Sequence, residues 1–247
     1  MFKAKLDDTN DFKKCLQVIS NLISEGKFQA SGKGLRLKAA DPAMAAMVDF
    51  QMEKQAFEEY QAEDEEIAIN LEKLYSIVRR VKSSDILSLE LNDSQLVIKM
   101  ENGSQRKFSL PLLNIDEEVP ETEGLDFNTR ADLRSSLFSE GIKDASIISD
   151  SITVTAEDKE LKIVAEGNNS GSEFKIDSNS EGVMEMETNG KAESMYSLDY
   201  LKKIMKAEKL SDTVKLQLGN EFPMRVDFEV PDKLQLGFIL APRIEED

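Results

Sequence analysis

The chain has 247 residues, of which 40% are hydrophobic and 32% charged, and its formal net charge is −17. That length suits two domains of ordinary size, and the acidity predicts poor non-specific affinity for nucleic acid over most of the surface. There is no histidine and one cysteine, Cys15, which excludes Ser-His-Asp and Cys-His nucleophile systems, histidine-ligated metals and an internal disulfide.

No apolar run approaches the roughly 18 residues of a membrane span, and no signal peptide is expected ahead of Met1-Phe2-Lys3. A lone thiol fits a reducing cytoplasm. Gly32-Lys33-Gly34 is followed by Leu-Arg-Leu, which matches neither a P-loop nor a dinucleotide fingerprint, so no cofactor is expected. Carboxylates occur in runs such as Glu63-Asp64-Glu65-Glu66, the pattern of a solvated face rather than a catalytic pair.

In chain order, Phe2–Leu6 predicts a first strand. Asp8-Thr9-Asn10-Asp11 offers helix N-caps, and Phe12, Leu16, Ile19 and Ile23 predict an amphipathic helix ending near Gly26. Leu35, Leu37 and Ala39 alternate, as do Ala46, Val48, Phe50 and Met52, which predicts two strands. The loop between them, Ala40-Asp41-Pro42-Ala43-Met44-Ala45, is apolar: either folded back onto its own domain or a contact site. Glu53–Glu66 predicts an exposed acidic turn region, and Ile67–Ile69 a short strand leading into a helix. Leu87/Leu89/Leu91 and Leu96/Ile98/Met100 predict a hairpin through Asn92-Asp93-Ser94, and Asn102-Gly103 turns the chain into a strand at Arg106–Leu110.

The second half repeats this order. A strand near Phe127 and a weak helix over Ala131–Lys143 come first. Strands follow at Ile152/Val154, Leu161/Ile163/Ala165, Phe174/Ile176 and Met184/Met186, then a helix, then strands at Val214–Leu218, Met224–Val230 and Leu234–Leu240. Many short strands joined by tight turns imply antiparallel sheets, with two helices per half covering one face: an α+β protein.

The two halves are copies. Asn70–Leu91 (NLEKLYSIVRRVKSSDILSLEL) aligns without a gap on Ser197–Leu218 (SLDYLKKIMKAEKLSDTVKLQL), at an offset of 127 (197 − 70). Lys33–Ala39 aligns on Lys159–Ala165 at almost the same offset. A long offset held over two stretches implies a duplicated domain, not a short-period solenoid. The acidic stretch Asn114–Gly124, punctuated by Pro120, reads as an exposed connector. The organisation expected is residues 1–113, a connector at 114–126, and residues 127–247.

The duplicated helix carries the sharpest chemical signal. Leu71/Leu198, Leu74/Leu201, Ile77/Ile204 and Val78/Met205 form matching apolar stripes. Positions 75, 79 and 82 share another face at helical spacing, as do 202, 206 and 209, which aligns Arg79 and Lys82 with Lys206 and Lys209. Lys202 stands on that face where the first copy has Tyr75, Arg80 and Lys203 widen the patch, and Lys13, Lys14, Arg134 and Lys143 add charge on the other helices. One such helix alone is more simply a solvated surface with cations near its C-terminal end. Its recurrence in both copies favours a common basic surface suited to phosphates, binding without base readout and sensitive to salt.

The sequence resembles the sliding clamps of the proliferating cell nuclear antigen family. The stretches that carry the resemblance are Leu37–Pro42 (LKAADP), Lys143–Ile152 (KDASIISDSI), Gly219–Met224 (GNEFPM) and the tail Leu240–Asp247 (LAPRIEED), in order along essentially the whole chain. The resemblance implies a DNA-clamp fold: two duplicated domains of antiparallel sheet with two helices each, three chains closing a ring around double-stranded DNA. It implies no enzymatic activity. The partners it implies are DNA polymerase, a clamp loader, flap endonuclease, ligase and similar motif-bearing enzymes, acting in the cytoplasm on chromosomal DNA (in the nucleus of a eukaryote). Carried over by position, the partner pocket would use Ala40, Met44, Ala45, Met47, Val119, Pro120, Pro223, Ala241 and Pro242. Ala40 departs from the larger residue common there, and the connector is short. Subunit closure would pair Arg106, Lys107, Phe108, Ser109 and Leu110 of one chain with Ser172, Glu173, Phe174, Lys175 and Ile176 of the next. Each of these segments reads as a strand beside an exposed turn, a bare edge in a monomer. The competing readings are a monomeric acidic interaction module without DNA encirclement, and a carboxylate-dependent hydrolase.

Overall fold

The computed structural model describes residues 1–116 and 124–244. The first half contains β1 (Phe2–Leu6), α1 (Asn10–Ser20), β2 (Glu25–Ser31), β3 (Gly34–Ala40), β4 (Ala46–Glu53), β5 (Glu59–Ala62), β6 (Glu65–Asn70), α2 (Leu71–Val78), β7 (Ile86–Asn92), β8 (Gln95–Asn102) and β9 (Ser104–Pro111). The second contains β10 (Thr129–Arg134), α3 (Ser135–Ala145), β11 (Ser151–Glu157), β12 (Glu160–Glu166), β13 (Gly171–Asp177), β14 (Val183–Thr188), β15 (Ala192–Ser197), α4 (Leu198–Ile204), β16 (Thr213–Leu218), β17 (Met224–Val230) and β18 (Leu234–Leu240). A 3-10 turn, Met205–Lys209, continues α4.

Two compact units result. One comprises Met1–Asp41, Val48–Pro120 and Val230–Leu236; the other comprises Pro42–Met47, Glu121–Glu229 and Gly237–Asp247. In the first half the strands run in the orders β5-β1-β7-β8-β9 and β4-β3-β2-β6. In the second they run β14-β10-β16-β17-β18 and β13-β12-β11-β15. Each strand of the first half thus has its counterpart nine places later in the same neighbourhood. Pairing is antiparallel, as in β1 with β7 and its counterpart β10 with β16. The α+β class and the duplication expected from the sequence are both present.

Hydrophobic stripes place the helices. Phe12, Leu16 and Ile19 of α1 and Leu71, Leu74 and Val78 of α2 are buried, and the two helices pack together. Phe138 and Ile142 of α3 and Leu201 and Ile204 of α4 repeat the arrangement. Each such side chain contributes roughly 1.5–3 kcal/mol on burial.

Several boundaries differ from the sequence reading. Helix α1 stops at Ser20, because Leu22 and Ile23 both hydrogen-bond back to the Ile19 carbonyl and close a tight turn that still buries Ile23. Gly26 is not a helix end but lies in β2, where a Cβ would sit 2.9 Å from Leu71 Cδ1 and 3.0 Å from Leu37 Cδ1. Part of the acidic stretch forms β5 as an edge strand, anchored by buried Phe57. Residues expected to open the third helix, Ala131–Arg134, end β10 instead: Ala131 and Leu133 are buried on one face at strand spacing. Strands β2 and β15 are not among the elements that the sequence predicts. In β15 the inward residues are Ala192, Ser194 and Tyr196, whose mixed polarity hides the alternation.

Candidate nucleic-acid interface and partner surface

The basic segments begin on the repeated helices but do not stay α-helical. Asn70 caps α2 by accepting from the Lys73 amide at 2.8 Å, and the helix ends at Val78. Beyond it the chain tightens: Arg80 donates to the Ile77 carbonyl and Val81 to that of Val78. The Lys82 amide then turns to the Asp85 carboxylate at 3.0 Å. Arg79, Arg80 and Lys82 therefore project from a turn after the helix, not from one α-helical face as their spacing suggested. In the second copy Lys206 and Lys209 lie in the 3-10 turn, where residues three apart eclipse and share a side. Buried Val81 and Asp85 explain the early end of α2: both must reach inward while the cations stay out.

The eleven sequence-predicted cations divide by environment. Arg79, Arg80, Lys82, Lys206 and Lys209 are exposed and make no ion pair among the described residues. Lys14 pairs with Asp11, Lys202 with Asp199, Lys143 with Glu208 and Arg134 with Glu181, at 3.3 to 3.8 Å. Such exposed pairs hold a side chain weakly and release it to a stronger anion. Lys203 sits 5.3 Å from the Tyr200 ring centre. Lys13 is half-buried, and its ammonium donates to the Val81 carbonyl at 2.6 Å.

Asp85 organises the first basic turn. It is 4% exposed and accepts from both the Lys82 amide and the Arg106 guanidinium, which also donates to the Arg80 carbonyl. The Lys82 amide, with Arg106 beside it, holds the Asp85 carboxyl below the usual carboxylate range. Arg106 lies on β9, one of the two strands predicted as subunit edges.

Those two strands stand apart from their counterparts in the repeat. Along β9 and β13 most residues are exposed or half-buried, whereas β18 and β4, which occupy the equivalent positions, bury alternate or consecutive residues throughout. Of the predicted edge residues, Leu110 and Ile176 are buried, Arg106, Phe108, Ser172 and Phe174 are half-buried, and Lys107, Ser109, Glu173 and Lys175 are exposed. On β13, Glu173 pairs with Lys175 at 3.1 Å and with Lys162 at 3.6 Å.

The apolar loop after β3 keeps Met44 55% exposed in a left-handed conformation (φ 54°). Ala45 accepts from the Ala241 amide at 2.8 Å, so this loop and the C-terminal tail are joined. Ala40, Ala45, Met47, Pro223, Ala241 and Pro242 are half-buried, Ala40 at the end of β3 in the first unit. Val119 and Pro120 lie outside the described residues.

Strand β15, which the sequence does not predict, ties together the second-unit segments expected to form a partner surface. Ser194 Oγ donates to the Gly219 carbonyl at 3.1 Å and accepts from the Phe222 amide at 2.9 Å. Tyr196 donates to the Phe222 carbonyl at 2.7 Å, and burial pushes its phenol up to about 12, so it remains a donor. Between them the Met195 carbonyl accepts from the Arg243 amide at 2.7 Å. One strand thus fixes both the turn that carries Pro223 and the tail that carries Ala241 and Pro242.

Comparison with known proteins gives this arrangement its context. The N-terminal domain of proliferating cell nuclear antigen matches residues 1–120, and its C-terminal domain matches residues 119–243. The DNA polymerase sliding clamp 1 of Thermococcus kodakarensis is 33% identical over 247 residues, covering 99% of both chains. The sliding clamp of Thermofilum pendens is 32% identical over 99% of this chain and 100% of that one. The chain belongs to the proliferating cell nuclear antigen family. Its function is that of a DNA sliding clamp. Among solved structures, the family member from Thermococcus kodakaraensis superposes with a TM-score of 0.91 at 25% identity, covering 98% of this chain and 100% of that one. A chain of the PCNA2–PCNA3 complex from Sulfolobus tokodaii gives 0.89 at 27% identity, with the same coverage. No helix among the described residues of this clamp is long and apolar enough to cross a membrane.

Proposed function

We propose that three copies of this chain close a ring around duplex DNA and that the ring tethers replication enzymes without performing a reaction itself. Each copy contributes two clamp domains, residues 1–113 and 127–247, joined by a connector at 114–126. The observation that carries the reading is a local reversal of sign. In a chain of net charge −17, the turns after α2 and α4 both present exposed cations that make no ion pair among the described residues: Arg79, Arg80 and Lys82, and Lys206 and Lys209. These meet phosphates directly. Lys14, Arg134, Lys143, Lys202 and Lys203 exchange weak intramolecular pairs for phosphate, and Lys13 adds charge while clasping the first turn. Acidic repulsion elsewhere keeps DNA off the outer surface.

Edge pairing closes the ring. Arg106–Leu110 of one copy and Ser172–Ile176 of the next supply the hydrogen-bonding partners that their own sheets leave unused. Partner enzymes such as DNA polymerase, a clamp loader, flap endonuclease and ligase dock on Ala40, Met44, Ala45, Met47, Val119, Pro120, Pro223, Ala241 and Pro242, where an exposed methionine adapts to different anchors. The chain works in the cytoplasm, on the chromosome.

The test is topological. After loading onto nicked circular DNA, the protein is retained, and it is lost once the circle is linearised. Equal loss from circular and linear DNA, with a solution mass near 27.7 kDa, would establish a monomeric interaction module instead.

A further inference from the structure

Among the described residues, Arg243 of the C-terminal segment pairs with Asp150 of the second unit, and the equivalent residue of the first copy, Ser24, has no charge to offer. At the start of each repeated helix the first amide is taken by the carbonyl of the residue just before β2 or its counterpart β11. Leu71 donates to Ser24 at 2.8 Å, and Leu198 donates to Asp150 at 2.9 Å. The backbone role is the same in both copies, but the side chains differ. Ser24 has a hydroxyl, which turns to Glu72 at 3.4 Å. Asp150 has a carboxylate, whose Oδ1 accepts from Arg243 Nη1 at 3.2 Å.

Arg243 is the last of the described residues for which a hydrogen bond is seen. Past β18 the tail makes two backbone hydrogen bonds among the described residues, Ala241 to Ala45 and Arg243 to Met195, because Pro242 has no amide to give. Ile244, next along, is 87% exposed. A terminal segment with so few bonds frays unless something ties it down. An exposed ion pair is ordinarily weak, because two flexible side chains must both be ordered. Here much of that ordering is already done. The Asp150 backbone is pinned by the amide of α4, and the Arg243 backbone by β15.

We propose that Asp150 and Arg243 form a latch that positions the tail for partner docking, making Asp150 a positioning residue for Ala241 and Pro242. The latch rests on the partner-surface reading above. It predicts that partner affinity depends on this intramolecular charge pair, and that salt weakens docking even of an uncharged peptide.

The experiment uses the whole 247-residue chain and a fluorescent, uncharged peptide carrying hydrophobic and aromatic anchors. Asp150→Asn and Arg243→Gln should each weaken the peptide about three- to tenfold while leaving the unfolding temperature and solution mass unchanged. The exchanged pair Asp150→Arg with Arg243→Asp should recover most of the affinity. In parallel, the Arg243 amide should exchange with deuterium faster in Asp150→Asn. Peptide binding by the wild type with no loss in the single variants would overturn the latch and leave the partner surface standing. Failure of the wild type to bind would remove the partner surface and the docking role together, with Arg243 amide exchange still deciding whether the pair holds the tail.

Discussion

Lys13 Nζ donates to the carbonyl oxygen of Val81 at 2.6 Å, so the first helix clasps the turn that follows the second. The aligned position on α3 is Ser139, which is buried, so the clasp belongs to one copy of the repeat only. A lysine that the sequence offers as a DNA contact is thus also part of the scaffold that presents Arg79, Arg80 and Lys82.

Lys13→Met keeps most of the stem and removes the donor, leaving a part-buried carbonyl unpaired. It should lower the unfolding free energy by about 1–2 kcal/mol. Urea denaturation measures this, and an unchanged midpoint would mean that water replaces the ammonium without cost.

Neutralising Arg79, Arg80 and Lys82 together should leave the fold and the solution mass intact and weaken retention on nicked circular DNA. The dependence of log affinity on log salt should become shallower by about 0.9 for each phosphate that the variant no longer neutralises. An unchanged slope would place these cations away from the nucleic acid.

Phe174→Asp puts a charge on the half-buried face of β13, and Arg106→Pro removes an amide from β9. Both should give a species near 27.7 kDa by light scattering, where the wild type should weigh three times as much. A variant that stays assembled on dilution would rule out these edges as the subunit contact.

Gly34 adopts φ +143°, and a Cβ there would lie 2.1 Å from the Met52 carbonyl oxygen. Main chain cannot swing aside as a side chain can. Gly34→Ala should therefore cost at least about 2 kcal/mol through strain and displacement of β4. Thermal denaturation would show the loss, and a midpoint within a degree of the wild type would contradict it.

Acid should loosen the first basic turn. The folded-state pKa of Asp85 is lowered, first by the Lys82 amide and then by Arg106. Its contribution is fully present above the unfolded carboxylate value of about 3.9 and is lost as pH falls through the lower folded value. The wild type should lose stability below about pH 4. Asp85→Asn should be less stable at neutral pH and show a flatter acid limb, and identical acid limbs would exclude Asp85 as a contributor.

Local periodicity was enough to establish the duplication, the antiparallel α+β class and the placement of most strands. Strict alternation at Leu35/Leu37/Ala39 or Leu234/Leu236/Phe238 has one physical reading, and the offset near 127 repeats that reading in the second half. The cations at 79, 82, 206 and 209 were legible too, because four basic residues within an acidic chain are visible as composition alone.

How those cations are presented, and what organises the candidate partner surface, emerged on folding. Helix α2 ends at Val78 because Val81 and Asp85 must be buried, a requirement imposed by packing that no helical wheel contains. Strand β15 shows no apolar alternation because Ser194 and Tyr196 use their inward positions for hydrogen bonds to Gly219 and Phe222. Asp150 and Arg243 are 93 residues apart in sequence and meet at 3.2 Å only once the tail has folded back onto β15. Periodicity reports which face of an element is buried; long-range hydrogen bonds between polar groups carry no such signature, and in this clamp they set the geometry of the candidate sites.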